Sequence, residues 1–375
     1  MSKIKVVHVL HSVGGVDVSL RLILENVNPD NFKNVVIHGE TDTDKAFFDK
    51  KNQKIDAYQT SIIRNIHPIK DLKAIYNAYR IIKKEKPDVI HCHSAKGGII
   101  GRIVGFLLGI KALYTPQAFS YLSEEKGFKR TLFLKIEQLF ANLNSILLAS
   151  SNSEKDRGVN EVGYKKSKVV VFNNCINPIL ELNPLTVNKT WPDEYICTVG
   201  RPSYQKNIDF MIKVFNEVIK EKKLHLVIMG VGHHVGQLDL VENLIKELDL
   251  SQHVTLLKWT HREDVLKIVS DSKLYISTAR YEGLPYSIIE SLALSKPCVV
   301  SDCDGNRDLI IDGFNGYVIK NSNIELFKNK ILKLINDDEL REEFSKNALQ
   351  SFNKQFNINT SIHQLESLYS FYSKK

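Results

Sequence analysis

No stretch of this chain reaches the roughly 18 consecutive apolar residues that a membrane-spanning helix needs. The longest candidate, IIGRIVGFLLGI at 99–110, is broken by Arg102 and flanked by glycines. The opening apolar run, IKVVHVL, is interrupted by His8 and too short for the core of a secretion signal, so no export is expected. Cysteine is scarce: Cys92, Cys175, Cys197, Cys298 and Cys303 are scattered, mostly in apolar strands, and read as reduced, buried thiols of a cytosolic chain. Cys298 and Cys303 are neighbours, yet no second pair joins them, which argues against a zinc site. Repeats and low-complexity segments are missing as well. What is left, 43% apolar and 25% charged residues, is the composition of a soluble globular protein. With 375 residues the chain is longer than one core usually supports, about 250–300, so two domains are expected.

The net charge of +8 is unevenly spread. Residues 1–185 hold 27 Lys and Arg against 18 Asp and Glu, whereas the remainder holds 24 against 25. That asymmetry points the first half toward an anionic partner, a membrane surface or an anionic acceptor, with plain solubility as the bland alternative. Apolar strands alternate with helical patterns throughout, which is the signature of doubly wound parallel sheets. INPILELNPLTVNKTWP (176–192), with three prolines and no sustained period, reads as the linker between them.

In the first half, KIKVVHVL (3–10) is a strand followed by Gly14 and Gly15 ahead of an amphipathic helix. Paired glycines there allow backbone to approach a ligand, although the full G-x-G-x-x-G is missing. NVVIHGE (34–40) is the second strand, and residues 69–86 read as a Lys-rich helix ending before Pro87. DVIHCHSAKGG (88–98) is a strand expected to deliver His91 and His93 to opposite faces, with Gly97 and Gly98 forming a turn beyond it. His93 is the candidate for lining a site at the strand's C-terminal end. KALYTPQAFSY (111–121) runs into a loop holding Gln117, a group that can hydrogen-bond a hydroxyl but carries no proton. GFKRTLFLKIEQLF interleaves Lys129, Arg130 and Lys135 with Phe and Leu; it reads either as a membrane-surface helix or as one whose apolar side is core.

Chemistry concentrates in the second half. ARYEGLPYSIIESLALSKPCVVSD (279–302) joins two short apolar strands through a turn at Gly283, Leu284 and Pro285 and a helix carrying Glu290. Glu282 and Glu290 are eight apart, one in the loop and one about a turn into the helix, near an N-terminus whose free N–H groups favour anions. Carboxylates beside an anion site suit a phosphorylated polyhydroxyl compound. In VGRPSYQKNID (199–209), Gly200 ends a strand, Arg201 follows it, and Lys206 precedes another helix, so two cations stand where a diphosphate would be held. Asp302-Cys303-Asp304 resembles a metal motif in letters only and reads as a loop.

The E-x7-E pair followed by a strand, preceded by G-R-x4-K, resembles the donor site of retaining nucleotide-sugar glycosyltransferases of family 4, well over residues 190–320 and loosely in the first half. The resemblance implies two Rossmann-like doubly wound parallel-sheet domains facing across a cleft, the GT-B fold. Residues 1–180, joined by a C-terminal helix at 356–375, would form the acceptor side, and 190–355 the nucleotide-sugar side. Arg201, Lys206 and Glu282 would be catalytic, the cations neutralising the leaving nucleoside diphosphate. Gly14, Gly15, His93, Gln117, Gly200, Gly283, Leu284 and Glu290 would bind the donor, Glu290 through its ribose. Relatives commonly carry histidine where Gln117 stands, which puts acid–base work there in doubt. No metal and no cofactor is implied. The expected partners are a nucleotide-diphosphate sugar, a saccharide or lipid-linked saccharide acceptor used in surface polysaccharide or lipopolysaccharide assembly, and an anionic membrane at its cytoplasmic face, but no nucleic acid. A non-hydrolysing nucleotide-sugar epimerase is the alternative; a binding protein without chemistry or a sugar phosphorylase fits less well.

Overall fold

The computed structural model describes residues 3–63, 66–124, 127–231, 237–258, 260–320 and 323–373. The chain divides into two compact units, residues Met1–Asn177 with Asn357–Lys375, and Pro178–Phe356.

The first unit runs β1 (Ile4–Val9), α1 (Gly15–Asn26), β2 (Phe32–Gly39), β3 (Asp56–Thr60), α2 (Pro68–Glu85), β4 (Val89–His93), α3 (Ser94–Leu108), β5 (Lys111–Thr115), α4 (Phe128–Ala141), β6 (Ser145–Ala149), α5 (Asn152–Arg157) and β7 (Val169–Val171). Its seven strands are ordered β3-β2-β1-β4-β5-β6-β7, every pairing parallel. The chain lays strands outward on one side of β1, then crosses to β4 and proceeds on the other, so the order reverses between β1 and β4. In such sheets the crevice beyond the C-terminal strand ends at that reversal is where ligands bind.

The second unit continues with β8 (Tyr195–Val199), α6 (Ile208–Ile219), β9 (His225–Val231), α7 (Leu238–Glu247), β10 (Val254–Lys258), α8 (Arg262–Asp271), β11 (Tyr275–Ser277), α9 (Tyr286–Ala293), β12 (Cys298–Ser301), α10 (Asn306–Leu309), β13 (Gly316–Ile319), α11 (Ile324–Asn336) and α12 (Asp338–Gln355). Six parallel strands are ordered β10-β9-β8-β11-β12-β13 and reverse between β8 and β11. The last helix, α13 (Ile358–Ser373), belongs to the first unit. The expected pair of doubly wound parallel sheets is therefore present.

Strand sequences such as VVHV and YICT are apolar on both faces because helices cover both sides of a parallel sheet. In the first unit Ile358, Ile362, Leu365 and Tyr369 of α13 join Val6, Val89, Leu113 and Ile146 in one core. In the second, Met211, Ile212 and Phe215 of α6 meet Phe327 and Ile331 of α11 over Ile196 and Leu226. Each such side chain contributes about 1.5–3 kcal/mol of burial. The charge inside the 99–110 run is explained by pairing: buried Arg102 donates to Glu137 Oε2 at 3.0 Å and lies 3.9 Å over the Tyr114 ring, while Tyr114 O–H donates to Glu137 Oε1 at 2.9 Å. All five cysteines are free and buried.

Two local expectations are corrected. His91 and His93 share one face, their rings 4.0 Å apart, because residues two apart on a strand project the same way. Gly97 and Gly98 are no turn but lie inside α3; a Cβ at Gly97 would meet Val9 O at 2.2 Å, and one at Gly98 the Tyr114 ring at 2.3 Å, so these glycines let α3 lie directly on the sheet.

Candidate functional site

In the second unit the two loops at the reversal point carry the charged residues singled out in the sequence. β8 ends at Val199, and a Cβ on Gly200 would stand 3.1 Å from Lys206 Cγ and Cδ, so the missing side chain leaves room for the lysine stem. Asn207, at φ 54, turns the chain into α6. Thr278, just past β11, fixes that turn by donating to the carbonyls of Lys206 and Asn207 at 3.2 and 3.0 Å. Lys206 Nζ then reaches Glu282 Oε1 at 2.7 Å. Gln205 Nε2 holds the other oxygen at 3.0 Å and the Tyr281 carbonyl at 3.2 Å. Glu282 is buried, and Lys206 is about one quarter exposed at 23% of its side chain. Burial pushes the Lys206 ammonium down, but the Glu282 carboxylate and Tyr275 outweigh it and hold the group above its usual range. A charged pair is thus prepared in the free protein.

Arg201 is exposed and, among the described residues, makes no ion pair or hydrogen bond. Gly283, Leu284 and Pro285 are buried ahead of α9. Gly305, at φ 79, must be glycine: a Cβ would fall 2.7 Å from Gly283 O and 2.9 Å from Glu282 Cβ. Glu290 sits in α9 with Oε1 held by Arg262 Nε and Nη2 at 3.0 and 2.7 Å. Its burial raises the carboxyl pKa despite the opposing Arg262 charge. Asp302 and Asp304 both pair with Arg307, which accounts for them without a metal. The structure thus brings Gly200, Lys206, Glu282 and Gly283 together; Glu290 lies four residues into the same helix. Gln205, Thr278, Gly305 and Arg262 escape sequence reasoning, since ordinary polar residues and one glycine carry no spacing signal.

In the first unit, Gly14 has φ 61 and Gly15 opens α1 beyond β1. His93 ends β4 but is fully enclosed, so it does not line an open surface. His8 Nδ1 and His93 Nε2 are 3.1 Å apart, His8 Nε2 is 3.1 Å from Asn34 Oδ1, and His91 contacts Tyr369 O–H at 2.7 Å and Thr115 Oγ1 at 3.0 Å. Nitrogens of these three rings lie within 4.8 Å of one another, the one such potential metal-ligand group among the described residues. No carboxylate accompanies them, so a dication would bring two uncompensated charges into the core; the trio reads as a neutral polar network. Gln117 has φ 54 in the loop after β5, its Nε2 buried without a partner, while the next N–H, of Ala118, donates to Glu154 Oε1 at 2.7 Å.

Comparison with known proteins agrees in both units. Residues 187–351 match the model described as glycosyl transferases group 1, and residues 13–179 match glycosyltransferase family 4. An Escherichia coli UDP-Gal:alpha-D-GlcNAc-diphosphoundecaprenol alpha-1,3-galactosyltransferase is 28% identical, covering 82% of each chain. The Staphylococcus aureus capsular polysaccharide biosynthesis glycosyltransferase CapM is 25% identical over 83% of this chain and 84% of its own. Among solved structures, sucrose-phosphate synthase from Thermosynechococcus elongatus superposes with a TM-score of 0.84 at 16% identity, covering 99% of both chains. Anabaena HepE in complex with UDP and glucose superposes at 0.79 with 18% identity, covering 98% of this chain and 100% of its own. The chain is a family 4 glycosyltransferase of the GT-B fold.

Proposed function

We propose that the chain moves a hexosyl group, with retention and without a metal ion, from a nucleoside-diphosphate sugar to a lipid-linked saccharide during surface polysaccharide assembly. The observation that carries the reading is the Lys206–Glu282 pair at the reversal point of the second sheet, with exposed Arg201, unpaired among the described residues, in the same loop as Lys206. A diphosphate arriving there meets two cations. Charge grows on the leaving phosphate oxygen as the glycosidic C–O bond breaks, and each aimed cation contributes on the order of 3 kcal/mol, about a hundredfold in rate. Lys206 turning to phosphate frees Glu282 Oε1 for the sugar hydroxyls, while Gln205 keeps the carboxylate in place. The Glu290 oxygen that Arg262 leaves open accepts from ribose hydroxyls. The cations take the charge-neutralising role a metal would otherwise have. With Glu282 given to the sugar hydroxyls, the acceptor hydroxyl attacks from the leaving-group face and its proton passes to the departing phosphate. Donor binding falls to the second unit, acceptor binding to the first.

A membrane-face location is supported by α4. Phe128, Leu132 and Leu139, at 82%, 40% and 68% exposure, form one stripe with exposed Lys135, flanked by Lys129. Of the two sequence readings of this helix, the exposed stripe favours the membrane one. Arg130 is not free for headgroups, since it donates to the Tyr121 and Glu124 carbonyls at 3.1 and 3.3 Å. The E. coli relative is named for a diphosphoundecaprenol-linked acceptor.

The test is incubation with UDP-glucose, UDP-galactose and their N-acetylamino forms, each with short-alkyl diphosphate glycosides of the same four sugars, with and without EDTA. Nucleoside diphosphate release and an α-linked product, both insensitive to EDTA, are expected. Loss with chelator and recovery with magnesium or manganese would overturn the metal-free reading.

A further inference from the structure

The loop after β1 holds a pair of residues with no part in the scheme above. His11 Nδ1 lies 2.6 Å from Asp42 Oδ1; the Asp42 side chain is wholly enclosed and that of His11 is 20% exposed. The other Asp42 oxygen accepts the backbone N–H groups of Ser12 at 2.5 Å and Gly39 at 2.8 Å. Gly39 makes room for this carboxylate, since a Cβ there would come within 2.4 Å of Oδ1. Burial pushes the Asp42 carboxyl up, but the adjacent His11 ring and the Ser12 and Gly39 N–H groups outweigh it and hold it below its usual value; the 2.6 Å approach of His11 Nδ1 is an ion-pair contact, since neither Nδ1 nor Oδ1 has a hydrogen-bond partner of good geometry. An ionised carboxylate on Nδ1 selects the tautomer with the proton at Nδ1 and leaves the Nε2 lone pair outward. Nε2 makes no hydrogen bond among the described residues. His11 sits two residues beyond β1 and three before Gly14, at the reversal point of the first sheet. Asp17 and Arg21, paired with each other at 2.9 Å, and His38 are the other charged or titratable groups around it.

We propose that His11 Nε2 binds the saccharide acceptor by accepting a hydrogen bond from one of its hydroxyls, with Asp42 as the positioning residue; this rests on the transferase reading above. A sugar hydroxyl donates to a ring lone pair, whereas a diphosphate offers only lone pairs and would face the buried Asp42 carboxylate besides. Donor and acceptor both carry hydroxyls, so the choice between them rests on place: His11 lies in the first unit, to which acceptor binding is assigned above, and the donor loops lie in the second. No proton is transferred at this contact.

The experiment measures KM for donor and acceptor separately in His11→Ala, His11→Gln and Asp42→Asn, with the alkyl diphosphate glycoside that supports turnover and circular-dichroism melts to confirm folding. His11→Ala raises the acceptor KM about tenfold, the worth of one hydrogen bond left unmade, while donor KM moves less than twofold. His11→Gln, whose amide oxygen reaches a similar point, recovers part of the loss, and Asp42→Asn raises acceptor KM with His11 still present. Acceptor KM within twofold of the unaltered protein in a folded His11→Ala, or a change in donor KM instead, overturns the assignment and leaves the transferase reading standing. Absence of turnover with every donor and glycoside overturns that reading and this inference with it.

Discussion

Acidification is expected to unfold the first unit through its buried histidines. His8, His91 and His93 are 0%, 1% and 0% exposed, and only ring nitrogens, hydroxyls and one amide face them. Burial lowers His8 from 6.5 to about 4, an effect partly opposed by its bond to Asn34. His91 and His93 are likewise held well below 6.5, by burial first and then by the neighbouring rings. In the unfolded chain each takes up a proton near pH 6.5; in the folded unit each stays neutral. The unfolded state thus binds more protons below 6.5, so stability is intact above that pH and is lost as pH falls. For His8 alone the loss between 6.5 and about 4 amounts to about 3 kcal/mol. Three such sites steepen the slope toward about 4 kcal/mol per pH unit, against a total domain stability of about 5–15 kcal/mol. Urea unfolding at half-unit steps from pH 7.5 to 5 should show this, and a folded His8→Asn should lose about one proton from the slope. Ring titration by NMR gives an independent reading at each site. Any of the three protonating near pH 6.5 in the folded protein, or a slope unchanged in the variant, would refute the reasoning.

Lys206→Ala and Glu290→Ala should each lower transfer at least a hundredfold while the protein stays folded by circular dichroism, since Lys206 faces a site and Glu290 is held on one oxygen only; near-normal turnover in either would remove that residue from the site. Glu137→Ala leaves Arg102 buried and unpaired and should cost about 3–5 kcal/mol in urea unfolding, whereas a loss under 1 kcal/mol would mean that water reaches the guanidinium. Lys129→Glu with Lys135→Glu should release the protein from anionic liposomes at low salt, because each cation near such a surface is worth about 1 kcal/mol; equal sedimentation of both proteins would exclude α4 as the contact.

Fold class was legible because parallel strands covered on both faces are continuous apolar runs, as in VVHV, SILLA and HLVIM. β3, sequence DAYQT, was overlooked since it is an edge strand with three of five residues exposed, and β13, GYVI, because four residues carry no period. Glu282, Glu290, Arg201 and Lys206 stood out as charges beside glycine turns at strand ends. That Lys206 and Glu282 touch was not legible: they are 76 residues apart and meet only because β8 and β11 become neighbours. His11 and Asp42, 31 positions apart, escaped for the same reason. The two-residue strand period itself places His91 and His93 on one face, and the expectation of opposite faces misapplies it.

Nucleoside diphosphate release from the four UDP-sugars, measured side by side in the unaltered protein and in Arg201→Ala/Lys206→Ala, tests the central claim most directly. Release and α-linked transfer by the unaltered protein, with at least a ten-thousandfold loss in the double variant if the two cations act independently at about a hundredfold each, is the predicted result. Comparable turnover by both proteins would contradict it.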